Sequence, residues 1–263
     1  MTRPTTEPGA SRPGTLFLVP NTLDFGVGID PLPPLTDVLP MAVIHTAANL
    51  STWVAENAKT TRAFLKRVDA VVPLSHALQT LQIVELPRAQ KGAKSGAAPD
   101  LPPLLAPATQ GVDMGLISEA GLPAVADPGA GLVQAAHRLG IPVVPLPGPS
   151  SLLLALAASG LNGQSFAFVG YLPVEAIERA GRLRELEALS RRIGQTQLFI
   201  ETPYRNEALL SALLATLGTQ TRLSISCGLT LPQAWTRTNT VAQWKTMPRP
   251  LPNDVPAVFA LLA

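Results

Sequence analysis

The sequence predicts an α/β protein in two lobes: a mainly parallel sheet with helices in the N-terminal part, and a smaller α/β lobe after it. Short apolar runs of strand length alternate with helical stretches through short connections, the pattern of strand–helix–strand units. Two loops rich in glycine and proline, within 113–129 and 142–151, each sit where such a run ends. Open α/β sheets hold their ligands at that edge. A chain of 263 residues with 46% hydrophobic content is long enough to bury two cores.

Residues 1–13 are polar and lack an apolar segment, so they are expected to form a flexible tail and not a signal peptide. Residues 16–19 are an apolar run closed by Pro20, expected as a buried first strand. Pro31, Pro33, Pro34 and Pro40 argue against a long regular helix in 21–40. Residues 42–54 mix helical and strand signals, and their type stays open. Asn57 suits the N-cap of a helix through Thr60, Arg62, Phe64, Leu65 and Arg67. Val71-Val72 and Ile83-Val84 read as short strands, and 88–108, with Arg88, Lys91, Lys94 and several Gly and Pro, as an exposed loop.

Residues 114–117 and 142–144 are strand-like, with a helix over 129–139 between them. An apolar helix over 150–159 can end at Gly160. Asn162-Gly163 is the expected boundary, giving an N-terminal domain over 14–162 and a C-terminal domain over 163–263. Beyond it come strands at 166–169, 197–200, 222–226 and 255–262, a charged amphipathic helix over 178–192 and another helix over 205–217. In the charged helix Arg179, Arg182, Arg184, Arg191 and Arg192 alternate with Glu178, Glu185 and Glu187, as on a solvated face laced with ion pairs.

Net charge is +2 from 20 basic and 18 acidic residues, which permits nucleic-acid contact without indicating it. Arg88, Lys91 and Lys94, with no acid between Glu85 and Asp100, are the better candidates for touching RNA phosphates. Cys227 is the one cysteine and lies in an apolar run, so no internal disulfide is possible and a buried structural thiol is expected in a reducing compartment. No run approaches the roughly 18 apolar residues of a membrane helix, so the protein is expected to be cytoplasmic. His45, His76 and His137 are scattered, and no HExxH or CxxC motif suggests a metal. No Gly-x-Gly-x-x-Gly follows the first strand, which argues against a dinucleotide-dependent oxidoreductase.

Six blocks in order carry a more specific message: Gly14-Thr-Leu-Phe-Leu-Val-Pro20, Ser118-Glu-Ala-Gly-Leu-Pro123, Asp127-Pro-Gly129, Pro145-Leu-Pro-Gly-Pro-Ser-Ser151, Gly170-Tyr-Leu-Pro173 and Phe199-Ile-Glu-Thr-Pro-Tyr-Arg205. Together they resemble the tetrapyrrole methylase family of S-adenosylmethionine-dependent methyltransferases. Within it the chain is most similar to the branch that methylates a ribose 2'-hydroxyl of 16S ribosomal RNA. The resemblance implies a two-lobed fold with the cofactor, S-adenosyl-L-methionine, in a cleft between the lobes, a homodimer, and 16S rRNA or the 30S subunit as partner.

Carried over residue by residue, the resemblance implies cofactor contacts from Pro20, from Ser118, Glu119, Ala120, Gly121 and Pro123, and from Asp127. It also implies Pro147, Gly148, Ser150 and Ser151 at a helix N-terminus suited to a carboxylate. Tyr171 and Glu201 come from the second lobe. Tyr171 either covers the adenine or the acceptor, or is a core tyrosine with its hydroxyl at the surface. Arg205 pairs with Glu201 or with a substrate phosphate.

The segment Glu56-Asn-Ala-Lys-Thr-Thr-Arg62 stands where the ribosomal RNA branch carries Glu-Asp-Thr-Arg. Glu56 is the implied catalytic carboxylate, able to help remove the ribose proton, or it is a solvated residue beside an Asn57 cap. Lys59 and Arg62 keep this segment basic. Asn21-Thr-Leu-Asp-Phe-Gly26 departs from the family's first loop, and Ser118-Glu119 replaces a serine-aspartate pair. Two alternatives follow from these departures: another acceptor on the same fold, a tetrapyrrole or other small molecule, or a non-catalytic cofactor-binding module.

Overall fold

The computed structural model describes residues 12–24, 31–87, 100–247 and 249–263. The expected tail, through residue 11, and the basic positions Arg88, Lys91 and Lys94 lie outside the described residues. The chain forms two compact units, one from 12–22 with 34–149, the other from 23–24, 31–33 and 150–263. The break between them in the main run of the chain falls at Pro149–Ser150, ahead of the Asn162-Gly163 turn.

In the first unit, β1 (Leu16–Leu18), β2 (Thr52–Ala55), β3 (Gln82–Glu85), β4 (Met114–Ile117) and β5 (Val143–Pro145) make a parallel sheet in the order β3-β2-β4-β1-β5. The helices are α1 (Met41–Asn49), α2 (Ala58–Asp69), the short α3 (Ala106–Thr109) and α4 (Ala130–Arg138). Side chains alternate across the pleat, and this divides the core in two. Phe17, Trp53, Ala55 and Ile117 pack on one face with α1 and α2, whereas Leu16, Val54, Met114 and Leu116 pack on the other with α3 and α4. Burial on both faces explains why the inner strands β2 and β4 are apolar throughout or nearly so. Gly115 sits where the fully buried Trp53 ring crosses the sheet, and a Cβ there would lie 2.5 Å from it.

The second unit contains β6 (Phe166–Tyr171), β7 (Thr196–Ile200), β8 (Arg222–Cys227), β9 (Trp235–Thr240) and β10 (Ala257–Leu262), ordered β6-β7-β10-β8-β9. Only β6 and β7 run parallel; the other pairings are antiparallel. α5 (Ser151–Ser159) packs on Leu198, Val258 and Ala260. The opposite face carries α6 (Ala176–Ile193), α7 (Asn206–Thr216) and α8 (Val241–Thr246), with Phe199 and Phe259 stacked 5.9 Å apart between them.

Three expectations need correction, and two elements, β9 and α8, were not expected. Val71 and Val72 are not a strand: their amides bond the Val68 carbonyl and close the end of α2. The end of the supposed loop 88–108 is helical, a 3-10 turn at Pro102–Leu105 running into α3, because buried Leu105 and Ala108 anchor it to the core. Polar β9 escaped the apolar pattern, and α8 announced itself only by a capping box, Thr240 with Gln243. Finally, Glu187 does not belong to a solvated face. It is buried and accepts hydrogen bonds from Gly218 N and Thr221 Oγ1. The open segment 42–54 resolves into most of α1 followed by β2.

Gly115→Ala should lower unfolding stability by about 1 to 3 kcal/mol, because the Trp53 ring has no room to retreat. Gly163→Ala, which adds a Cβ to open space, should stay within about 0.5 kcal/mol. Chemical denaturation of both variants checks the contrast.

Candidate active site

The strand order sets the site, because it lines up the loops that leave β2, β4, β1 and β5 along one carboxyl edge of the first unit. Asn21, just after β1, ties two of them together. Its backbone N–H donates to Gly121 O at 2.9 Å, and its side-chain amide donates to Ser118 O and Glu119 O, each at 3.1 Å. The amide oxygen accepts from Thr22 N, so buried Asn21 uses both its donor and its acceptor groups on loop backbone. Gly121 answers with φ 67°, a conformation glycine adopts without steric cost.

The β5 loop is locked by contact instead. A Cβ on Gly148 would stand 2.3 Å from Pro20 Cβ, so the two loops meet only because that position is glycine. On the other side of β1 the β4 loop continues with Ala124 at φ 66° and Ala126 at φ 64°. Left-handed alanine costs roughly 1 to 2 kcal/mol, so packing must hold this loop in place.

The edge is acidic. Glu56, after β2, accepts from Glu119 N through Oε2 at 3.0 Å, and Thr60 Oγ1 lies 3.4 Å from Glu119 Oε1. Asp127 is partly buried beside both glutamates, and its carboxyl is raised from 3.8 to about 6. Burial is the largest cause, followed by the charge of Glu56. The hydrogen bond from Ser118 opposes them, and Glu119 adds a smaller push upward. The Ser118 hydroxyl also lies 3.1 Å from Ala120 O. Next to the acids, α2 begins with its first amides satisfied: Ala58 N by Glu85 Oε1 at 2.7 Å, and Lys59 N and Thr60 N by the Asn57 side chain.

Of the expected site residues, the first unit therefore gathers Glu56, Ser118, Glu119, Ala120, Gly121 and Asp127, with Pro20 against Gly148. Pro123 is buried and Pro147 exposed in the same two loops. The second unit carries the others. Ser150 is buried at the N-cap of α5, with no side-chain cap bond, and Ser151 opens the helix. Tyr171 ends β6 with 58% of its surface exposed. Glu201 is buried after β7, paired with Arg205 Nη2 at 2.8 Å and accepting from Thr202 N at 2.8 Å. The Arg205 guanidinium thus has an internal carboxylate partner.

The sequence reading missed Asn21 and Thr60 as site residues. The signal for Asn21 was its amide, both donor and acceptor, directly behind a strand closed by proline. Cys227 is buried, and desolvation raises its thiol pKa. Among the described residues, no group of three or more His, Cys, Asp and Glu is arranged to hold a metal ion, and no helix is long and apolar enough to cross a membrane.

The tetrapyrrole (corrin/porphyrin) methylase family model matches residues 58–244, most of the chain. The chain belongs to this family. Among curated relatives, the Ribosomal RNA small subunit methyltransferase I of Mesorhizobium japonicum is 42% identical over 140 residues, 53% of this chain and 46% of that protein. The proteins of the same name from Pseudomonas aeruginosa and Bacillus subtilis are 45% and 44% identical over 36% and 41% of this chain, and 32% and 36% of theirs. The chain thus matches less than half the length of these relatives. Among solved structures, uroporphyrin-III-C-methyltransferase from Thermus thermophilus has a TM-score of 0.51 at 19% identity, covering 95% of this chain and 92% of that one. A cobalt precorrin-4 methyltransferase gives 0.51 at 13% identity, with 94% of each chain covered. These two likenesses show the fold.

Because the folded Asp127 carboxyl keeps its proton up to about pH 6, the folded state binds the extra proton between about pH 4 and 6. The stability it contributes is present below that window and lost as pH rises through it. Asp127→Asn should therefore match the parent near pH 4 and exceed it above pH 6, by on the order of 1 kcal/mol once its partial exposure is allowed for. Denaturation across this pH range would contradict the account if the variant were no more stable at pH 8.

Proposed function

We propose that this chain is an S-adenosylmethionine-dependent methyltransferase that methylates a ribose 2'-hydroxyl of 16S ribosomal RNA. The observation that carries the proposal is the carboxylate group Glu56, Glu119 and Asp127 at the strand-end edge of a family member whose curated relatives are named for small-subunit ribosomal RNA. On the same reading the protein works in the cytoplasm as a homodimer.

The residues present fit the cofactor. Its ammonium and sulfonium are both cationic, and three clustered carboxylates with nearby loop carbonyls suit such charges better than an anion. Loop 118–127 with Pro20, Pro147 and Gly148 is the proposed cofactor cradle in the first unit; Gly121 and Gly148 keep side chains out of its backbone path. Ser150, Ser151, Tyr171 and Glu201, the other residues that the family resemblance implies, belong to the second unit.

When bound, the cofactor supplies an electrophilic methyl group for in-line displacement by an oxygen nucleophile. Glu56 is the proposed base. Its Oε2 is held by Glu119 N, while Oε1 has no partner among the described residues and would take the proton of a ribose hydroxyl placed beside it. Asp127, once ionised, would balance the donor's positive charge. Most of the remaining acceleration is orientation, worth up to roughly 7 to 11 kcal/mol in favourable cases.

Calorimetric titration tests the cofactor assignment. S-adenosylmethionine and S-adenosylhomocysteine should bind saturably and NADH should not; affinity for the cationic donor should rise with pH through about 6 as Asp127 ionises, and Asp127→Asn should flatten that rise. No binding of either sulfur nucleotide would contradict the reading. Glu56→Gln should retain donor binding and lose about 10²- to 10⁴-fold in methyl-transfer kcat; unchanged kcat would remove Glu56 as the base.

A further inference from the structure

We infer that the outward face of α2, made by Lys59, Arg62 and Lys66, is a docking surface for the sugar-phosphate backbone of the RNA acceptor. The inference rests on the ribosomal RNA reading above and adds the surface that would hold the acceptor beside Glu56.

Thr61, Phe64, Leu65 and Val68 bury one side of α2 against the sheet, and Lys59, Arg62 and Lys66 are exposed on the other. At 3.6 residues per turn their positions fall within about 60° of the helix circumference, along about 10 Å of its axis. A nucleic-acid strand carries a phosphate about every 3.4 Å along its axis, so three cations in this line face a comparable run of phosphates.

The charges are unbalanced in a way that structure alone does not require. Asp69 is the first acid in α2, and it accepts from Leu74 N at the far end of the helix. None of the three cations has a carboxylate partner among the described residues; Arg62 reaches only its own Ala58 carbonyl at 3.4 Å. The exposed face of α6 is the counterexample within the same chain, with its arginines interleaved with glutamates and Arg182 paired to Glu185 at 3.1 Å. Lys59 also stands in the first turn, where the helix dipole disfavours a cation. A local rule broken without a compensating contact marks function more often than stability.

Position supports the same partner. Glu56 immediately precedes the cap of α2, and Thr60, one residue from Lys59, contacts Glu119. Three carboxylates repel a phosphate backbone, so an RNA strand that brings a ribose to Glu56 needs cations close by. The α2 face supplies them within a turn or two of the acids.

The test uses the full chain and a full-length 16S rRNA transcript, with filter binding measured from about 50 to 200 mM salt. The triple variant Lys59→Ala, Arg62→Ala and Lys66→Ala keeps strong helix formers on α2, and Arg182→Ala, Arg184→Ala and Arg192→Ala on α6 is the matched-charge control. If α2 docks RNA, the α2 triple binds at least about 10-fold more weakly, and its log–log salt slope falls by about 2 to 3. The α6 control and the charge-preserving Lys59→Arg with Lys66→Arg then stay near the parent, and S-adenosylmethionine titration of all variants is unchanged. Parent and α2 triple binding RNA with equal affinity and slope would overturn this inference while leaving the acceptor reading intact. A parent that binds the donor but no RNA would overturn both.

Discussion

The site depends on the contacts that hold the loops after β4, β1 and β5 together. A parallel sheet brings strand ends to one edge but does not fix the loops beyond them. Here Asn21 fixes the β4 loop by donating to three of its carbonyls, and the Gly148–Pro20 contact fixes the β5 loop by excluding even a methyl group. Polar bonding on one side of β1 and close packing on the other leave the central loop little freedom. Every later feature of the edge inherits its position from that pair of contacts.

Backbone strain and opposed charge meet in the β4 loop. The β4 loop holds two alanines at positive φ, and its Asp127 retains a proton to about pH 6 because burial and Glu56 oppose its ionisation. A fold selected for stability alone would relieve both by placing glycine in the loop and amides among the acids. The carboxylates become favourable when something cationic sits among them, which is the character of a sulfonium donor. The basic face of α2 begins one turn away, so opposite charges are sorted by distance from Glu56: acids at the edge, cations on the adjoining helix.

Much of this was legible in the sequence, for reasons that differ by element. Strands with little exposure on either face read as apolar runs, which made β1, β4 and β7 visible. The Asn57 cap was visible because a side-chain oxygen at that position has one dominant use. Val71 and Val72 misled because β-branched residues favour strands while local bonds to Val68 decide the geometry. β9 stayed hidden because an edge strand of threonines, arginine and asparagine has no apolar period. Family blocks pointed to the loops, and the pairing of Arg205 with Glu201 was one of its two expected uses, yet only the fold reveals that Asn21 binds one loop to another and that Glu187 is buried under Gly218 and Thr221. Such links join residues distant in sequence, and periodicity carries no trace of them.

The central claim is that this acidic edge directs a methyl group to a ribose oxygen of small-subunit RNA. It is tested most directly by incubating the protein with tritium-methyl S-adenosylmethionine and 30S subunits lacking methylation, then hydrolysing the RNA in alkali. A 2'-O-methyl group removes the hydroxyl that drives alkaline cleavage, so the account predicts label in an alkali-resistant dinucleotide of 16S RNA. Label released as a mononucleotide, or no transfer by a protein that binds the donor, would contradict it.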